Sequence, residues 1–119
     1  MSWKYNPFTG QLDRVDPSLW AHVSDTVTAS ATKVVDTVAL ADFKSIEYFV
    51  NVNNDANDKS KSFTLRVVNL NTSLKDSLFG KIGSASMAID AIINGGNMDI
   101  EITNNEIFDL GVSLTKRTV

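Results

Sequence analysis

The sequence predicts an all-β domain: a two-sheet antiparallel sandwich, jelly-roll or immunoglobulin-like, with an extended N-terminal arm. Three observations carry this. Apolar and polar residues alternate at period two in run after run, and clusters rich in Asn, Gly and Ser break the runs roughly every ten residues. No stretch carries a helical apolar stripe long enough to cover a sheet. The 119 residues suit one domain, divided into an arm over residues 1–20 and a sandwich over residues 21–119.

The arm is set apart by composition. It holds four of the ten aromatics (Trp3, Tyr5, Phe8, Trp20) and both prolines, Pro7 and Pro17. Proline lacks an amide hydrogen and disfavours helix in the residue before it, so Asn6-Pro7 and Asp16-Pro17 read as extended or turn dipeptides, and Phe8-Thr9-Gly10 as a bend. Strands follow near 24–30 and 33–40. A helix over 33–43 would align Val34, Val38 and Ala41, but the β-branched Val34, Val35, Thr37 and Val38 favour a pleated surface. Ile46, Tyr48, Val50 and Val52 then alternate with Glu47, Phe49 and Asn51 and end in the turn composition of residues 53–58. Phe63-Leu65-Val67 marks the returning strand, and another is expected near 75–82. Met87-Ile89-Ala91-Ile93 and Met98-Ile100-Ile102 flank Asn94-Gly95-Gly96, a hairpin signal because Asn and Gly tolerate positive φ. Phe108-Leu110-Val112-Leu114 follows a turn at residues 104–106, for seven or eight strands in all.

Composition excludes more functions than it suggests. The chain has no cysteine and one histidine, His22, which removes thiolate chemistry and most transition-metal sites. A net charge of −3 supplies no field for nucleic acid or anionic lipid, and charge-free stretches reach only eight residues, so neither nucleic acid nor membrane is an expected partner. The opening residues lack the apolar core of a signal peptide. His22 with Ser24 and Asp25 lacks the layout of a nucleophilic triad and reads as a surface histidine. Asp55 and Asp58 read as a solvated hairpin turn rather than a calcium loop. Asp90, Asp99 and Glu101 read as the outward positions of a hairpin, and Gly80, Gly83, Gly95 and Gly96 as turn glycines. Lys116-Arg117 reads as a solvated chain end. No catalytic residue, metal or cofactor is expected, and the chain is not expected to be an enzyme.

The arm differs because exposed Trp, Tyr and Phe must find cover, each worth roughly 1.5–3 kcal/mol on burial. It either folds back on the end of its own sandwich or docks on a neighbouring subunit through its aromatic anchors.

Residues 3–13, Trp3-Lys4-Tyr5-Asn6-Pro7-Phe8-Thr9-Gly10-Gln11-Leu12-Asp13, resemble a short signature, Tyr-Asn-Pro-Phe-Thr-Gly-x-Leu/Phe-Asp. That signature opens many virion proteins of tailed bacteriophages, notably marine and cyanobacterial ones. Residues 35–50, 89–98 and 115–119 are similar to the opening strand pair, late hairpin and ending of a small structural domain of such phages. The resemblance touches about a third of the chain. It implies a non-enzymatic structural protein of the bacteriophage virion, made in the host cytoplasm, and either a capsid decoration or a tail fibre or adaptor component, with a lean toward an appendage. It implies that Trp3, Tyr5, Asn6, Pro7, Phe8, Thr9, Gly10, Leu12 and Asp13 contact other virion proteins of the capsid or tail during viral assembly. The expected body faces solvent or self-associates as a homo-oligomer, a trimer. The alternative is a carbohydrate-binding or host-receptor-binding module using Trp20, Tyr48 or Phe49.

Overall fold

The computed structural model describes the backbone of residues 2–6, 11–15, 20–70 and 73–118, and the side chains of residues 21–70 and 73–118. Ten strands follow one another: β1 (Ser2–Asn6), β2 (Gln11–Val15), β3 (Trp20–Val27), β4 (Thr32–Ala39), β5 (Ser45–Asn54), β6 (Lys59–Asn69), β7 (Leu74–Gly83), β8 (Met87–Asn94), β9 (Asn97–Asn104) and β10 (Leu110–Thr118). Single 3-10 turns at Leu40–Asp42 and Asp55–Asn57 interrupt them, and no α-helix occurs among the described residues. The body therefore has eight strands, and the segment over 33–43 that could have been helical is β4 followed by a short turn.

Two antiparallel sheets form the sandwich. One has five strands in the order β3-β10-β5-β6-β7 and the other three, β4-β9-β8. The first body strand pairs with the last and the second with the last but one, so the chain winds back on itself. β5, β6 and β7 form a simple meander. The alternation read from sequence is what fills the core. Ile46, Tyr48, Val50 and Val52 of β5, Phe63, Leu65 and Val67 of β6 and Leu110, Val112 and Leu114 of β10 are buried against Ile89, Met98, Ile100 and Ile102 of the facing sheet.

Glycines act differently from the turn reading at two of four positions. Asn94 pairs with Asn97, so the β8–β9 turn is Gly95-Gly96, one residue later than Asn94-Gly95. Gly95, at φ 62, takes the left-handed first position that such a two-residue turn needs. Gly80 and Gly83 are not in turns but inside β7. Between the pairs Thr64–Phe79 and Ser62–Ile82 the strand β7 gains one residue, a bulge that Gly80 accommodates at φ 69. Gly83, at φ 120, lies where a Cβ would come within 2.1 Å of the Ser60 carbonyl oxygen, so only glycine fits this approach.

Among the described residues, β1 and β2 pair with each other and with no other strand, Tyr5 opposite Leu12 and Trp3 opposite Arg14. Within the arm, the described segments β1 and β2 run antiparallel.

Candidate functional site

The residues nominated from sequence sit in the arm. Trp3, Tyr5 and Asn6 lie in β1 and Leu12 and Asp13 in β2. Their side chains, like Pro7, Phe8, Thr9 and Gly10 altogether and the Trp20 side chain, lie outside the described residues. What the structure does describe is the surface of the body, where three regions stand out.

The first is a polar clamp between the sheets that the sequence did not announce. β4 carries one extra residue between the pairs Val34–Glu101 and Asp36–Ile100, and this bulge sets both Val35 and Asp36 toward the inside. Asp36 Oδ2 accepts a 2.8 Å hydrogen bond from the Tyr48 hydroxyl, and the Lys116 ammonium donates to both Asp36 oxygens at 2.9 and 3.1 Å. Burial, with the Asp36 carboxylate beside it, pushes the Tyr48 phenol far above its ordinary value, so it stays a neutral donor. Two expectations are corrected here. Lys116 is not a solvated end: register with Tyr48 places it on the inner face, and its side chain is 20% exposed. Tyr48 is fully buried and offers no platform to a ligand, because the register that buries Ile46 and Val50 also turns it inward.

The second region is the outer face of the five-stranded sheet. Cross-strand register lines up His22, Thr115, Phe49, Thr64 and Phe79 in one row, and Arg117, Glu47, Arg66 and Ser77 in the next. His22 Nδ1 lies 2.9 Å from Thr115 Oγ1, so the lone histidine is an exposed, hydrogen-bonded surface residue. Arg66 donates to Glu47 at 2.7 Å. Ser45, Ile46, Glu47, Arg66, Val68 and Arg117 line an open groove of about 370 Å³. Phe49 and Phe79 are both nearly half exposed beside it.

The third region is one flank of the sandwich. β7 and β8 are the outermost strands on the same side, and β7 is exposed along almost its whole length. Leu78, Phe79 and Ile82 of β7 and Ile92 and Ile93 of β8 are exposed, Ile82 to 75%. Opposite Leu65 and Met98, Leu78 and Ile93 face the seam between the sheets; opposite Thr64 and Asp99, Phe79 and Ile92 face outward. A small cavity of about 40 Å³, lined by Phe63, Leu78, Met87 and Ile89 among others, opens into this seam.

The acidic candidates do not converge. Asp90 is exposed, but Asp99 is not the solvated outward residue expected: it is 9% exposed, accepting hydrogen bonds from Thr37 Oγ1 at 2.9 Å and Asn94 Nδ2 at 3.0 Å. Asp55 and Asp58 lie exposed at the β5–β6 connection, Asp58 in the left-handed region at φ 54 that Asp tolerates. Exposure of β7 was not legible, because a sequence run does not say which strand ends up at the edge of which sheet.

No protein-family model matches the chain, and no curated protein matches it in sequence. Among solved structures, two phage tailspike proteins align with it. The tailspike protein of Acinetobacter baumannii phage AM24 aligns at a TM-score of 0.46 and 7% identity, over 96% of this chain and 29% of that one. The tailspike protein of Acinetobacter phage vB_ApiP_P1 aligns at 0.45 and 15% identity, over 89% of this chain and 22% of that one. The chain thus spans less than a third of either.

Proposed function

We propose that this chain is a non-enzymatic structural protein of a tailed-bacteriophage particle, a decoration or fibre-like appendage attached to neighbouring subunits through its N-terminal arm. The observation that carries the reading is the arm signature Tyr5-Asn6-Pro7-Phe8-Thr9-Gly10-Gln11-Leu12-Asp13, which resembles the openings of phage virion proteins. The body supports it in a general way. It is a sandwich with a continuous core, and the arm leads into it at the start of β3. The mechanism is mechanical: Trp3, Tyr5, Pro7, Phe8 and Leu12 bury on the neighbour, Gly10 permits the bend, and the sandwich stands clear of the attachment point.

Gold labelling of a tag placed after Val119, viewed on intact particles by electron microscopy, tests this. Label over the head means a decoration protein and label at one vertex a tail or fibre component. Protein found in infected cells but never on particles overturns the reading.

A second reading has one observation in its favour. Phe49 and Phe79 share a row on the outer face, next to the groove of Glu47, Arg66 and Arg117, where an aromatic ring could stack on a sugar and the polar groups hydrogen-bond its hydroxyls. Binding of host-surface glycan by the intact protein, abolished by Phe49→Ala, would favour it over a purely structural appendage.

A further inference from the structure

Of all the asparagines in the chain, only Asn94 is followed by glycine. In that dipeptide the backbone nitrogen of residue 95 can close on the side-chain amide carbon of residue 94, because glycine puts no Cβ in the way and its backbone reorients freely. The fold sets the pair at the tip of the β8–β9 hairpin, where Asn94 ends β8 opposite Asn97 and residues 94–97 are all exposed. A Cβ placed on Gly95 or Gly96 would meet nothing within 4 Å, so the turn stands open to water. The Gly96 carbonyl is engaged by Leu40 N–H at 2.9 Å, whereas Gly95 N–H donates to no group among the described residues. The attacking nitrogen is therefore uncommitted.

What holds Asn94 is its side chain. Asn94 Nδ2 donates to Asp99 Oδ2 at 3.0 Å, and Thr37 Oγ1 donates to Asp99 Oδ1 at 2.9 Å, so this 9% exposed carboxylate is fixed from both sides. A charged acceptor on the amide nitrogen favours the resonance form in which the amide carbon is least electrophilic, and it keeps the side chain in one rotamer. Loss of the amide turns this attraction into repulsion. The outer face of the three-stranded sheet already carries Asp99 next to Asp90 and Glu101, which lie directly opposite each other, and the outward positions of β4, β8 and β9 hold no cation.

We propose that Asn94 is a site of spontaneous modification, an asparagine that deamidates in the folded chain under the restraint of Asp99. Gly95 N loses its proton to solvent and bonds to Asn94 Cγ; the Cγ–Nδ2 bond breaks, and the nitrogen takes up solvent protons and leaves as ammonia. Water then opens the cyclic imide at either carbonyl, giving aspartate or isoaspartate. Each product disturbs the hairpin. Aspartate sets a second carboxylate against Asp99, and isoaspartate adds a methylene to the main chain beside a two-residue turn. The loosened tip releases Leu40 N–H, which ties the connection after β4 to the Gly96 carbonyl.

The test follows the folded full chain at pH 8 by peptide mass mapping, with enzymatic methylation to detect isoaspartate. A gain of one mass unit is expected at Asn94 about tenfold faster than at any other asparagine, and Asn94→Gln, which would have to close a larger ring, is expected to abolish it. Asp99→Ser removes the charged acceptor and is expected to raise the rate at Asn94 about threefold with circular dichroism unchanged. Thr37→Val, a milder change at an exposed position, frees the same carboxylate and is expected to act in the same direction. Asn94→Asp, itself one product, is expected to speed hydrogen exchange at Leu40 N–H while the amides of β10 stay protected. Conversion at Asn94 no faster than at the other asparagines overturns the site. Equal rates in the parent, Asp99→Ser and Thr37→Val overturn the restraint, and unchanged exchange at Leu40 overturns the loosening. None of these outcomes depends on how the arm is used, so they stand apart from particle labelling.

Discussion

The two flanks of the sandwich are built to different standards. At the β3–β4 flank the Thr28–Ala31 turn is tied down from several directions. Ala29 N–H donates to Asp109 Oδ1 at 3.1 Å, Ser30 N–H to the Glu106 carbonyl at 3.1 Å, and Asn104 N–H to the Ala31 carbonyl at 2.8 Å. Lys33 reaches back to Asp25 at 2.7 Å, and Thr32 meets Thr103 at 2.9 Å. The β7–β8 flank has a backbone ladder from β7 to β6 and exposed apolar side chains along it. One flank is tied together within the chain through hydrogen bonds of its turn and an ion pair. The other is held in place by its neighbour strand and leaves apolar side chains exposed.

The keystone of the tied flank is Asn104, fully buried at the end of β9. Its Nδ2 donates to the carbonyls of Val27, Thr28 and Phe108 at 3.1, 3.2 and 2.8 Å, and its Oδ1 accepts from Glu106 N–H at 2.8 Å. Replacing it with leucine, close in volume, leaves buried backbone groups without partners. Asn104→Leu is expected to lower unfolding free energy by about 4 kcal/mol, the largest effect in the molecule, read from the urea midpoint. Amide exchange in β7 should change only through global unfolding.

The open flank has its own point of failure in Gly83. Gly83→Ala forces a Cβ toward the Ser60 carbonyl and its neighbouring backbone, which cannot move cheaply, and is expected to cost about 3 kcal/mol. Gly80→Ala has a left-handed φ but open space around it, so about 1 kcal/mol is expected. Hydrogen exchange should show Gly83→Ala releasing the C-terminal half of β7 while β3 and β4 stay protected; equal loss at both flanks would contradict their independence.

Much of this frame was legible from side-chain alternation, and its failures have physical reasons. β5, β8 and β9 could be read directly, because a half-buried strand must alternate. The same alternation already implied that Tyr48 points inward with Ile46 and Val50, so its candidacy as a ligand platform conflicted with its own strand. Glycines were ambiguous because turns, bulges and close approaches all favour glycine, and only the partner strand distinguishes them at Gly80 and Gly83. Lys116 and Asn104 looked like an end and a turn, since the carboxylate and carbonyls that hold them come from residues up to eighty positions away. The open flank depends on strand order, which no local pattern encodes.

The polar clamp sharpens the contrast from the inside. Lys116→Met keeps the stem of the side chain but leaves Asp36, itself well covered, with only the Tyr48 hydroxyl. A loss of about 2 kcal/mol is expected in urea unfolding, less than for a fully buried pair because Lys116 keeps some contact with water. On the open flank Ile82→Ser should shift the same midpoint by no more than about 0.5 kcal/mol, since a side chain this exposed adds little to the monomer. A larger loss would mean that Ile82 is covered within the folded chain.

The smallest effect bears on whether the ion pair at the tied flank helps hold it. The Lys33 ammonium, and then the Thr26 N–H, hold the Asp25 carboxyl below the usual carboxylate value, outweighing the opposing effect of burial. A carboxyl whose value is depressed in the folded state stabilises fully above its unfolded value, ~3.9, and loses that contribution as pH falls through the folded value. Because the pair is solvent-accessible, Asp25→Asn is expected to lower stability by only a few tenths of a kcal/mol at pH 6. The gap between variant and parent should narrow toward pH 2.5 and shrink in 1 M salt. A gap that persisted in acid would mean that the charge does not secure this edge, leaving Asn104 and the backbone bonds of the turn to account for its closure.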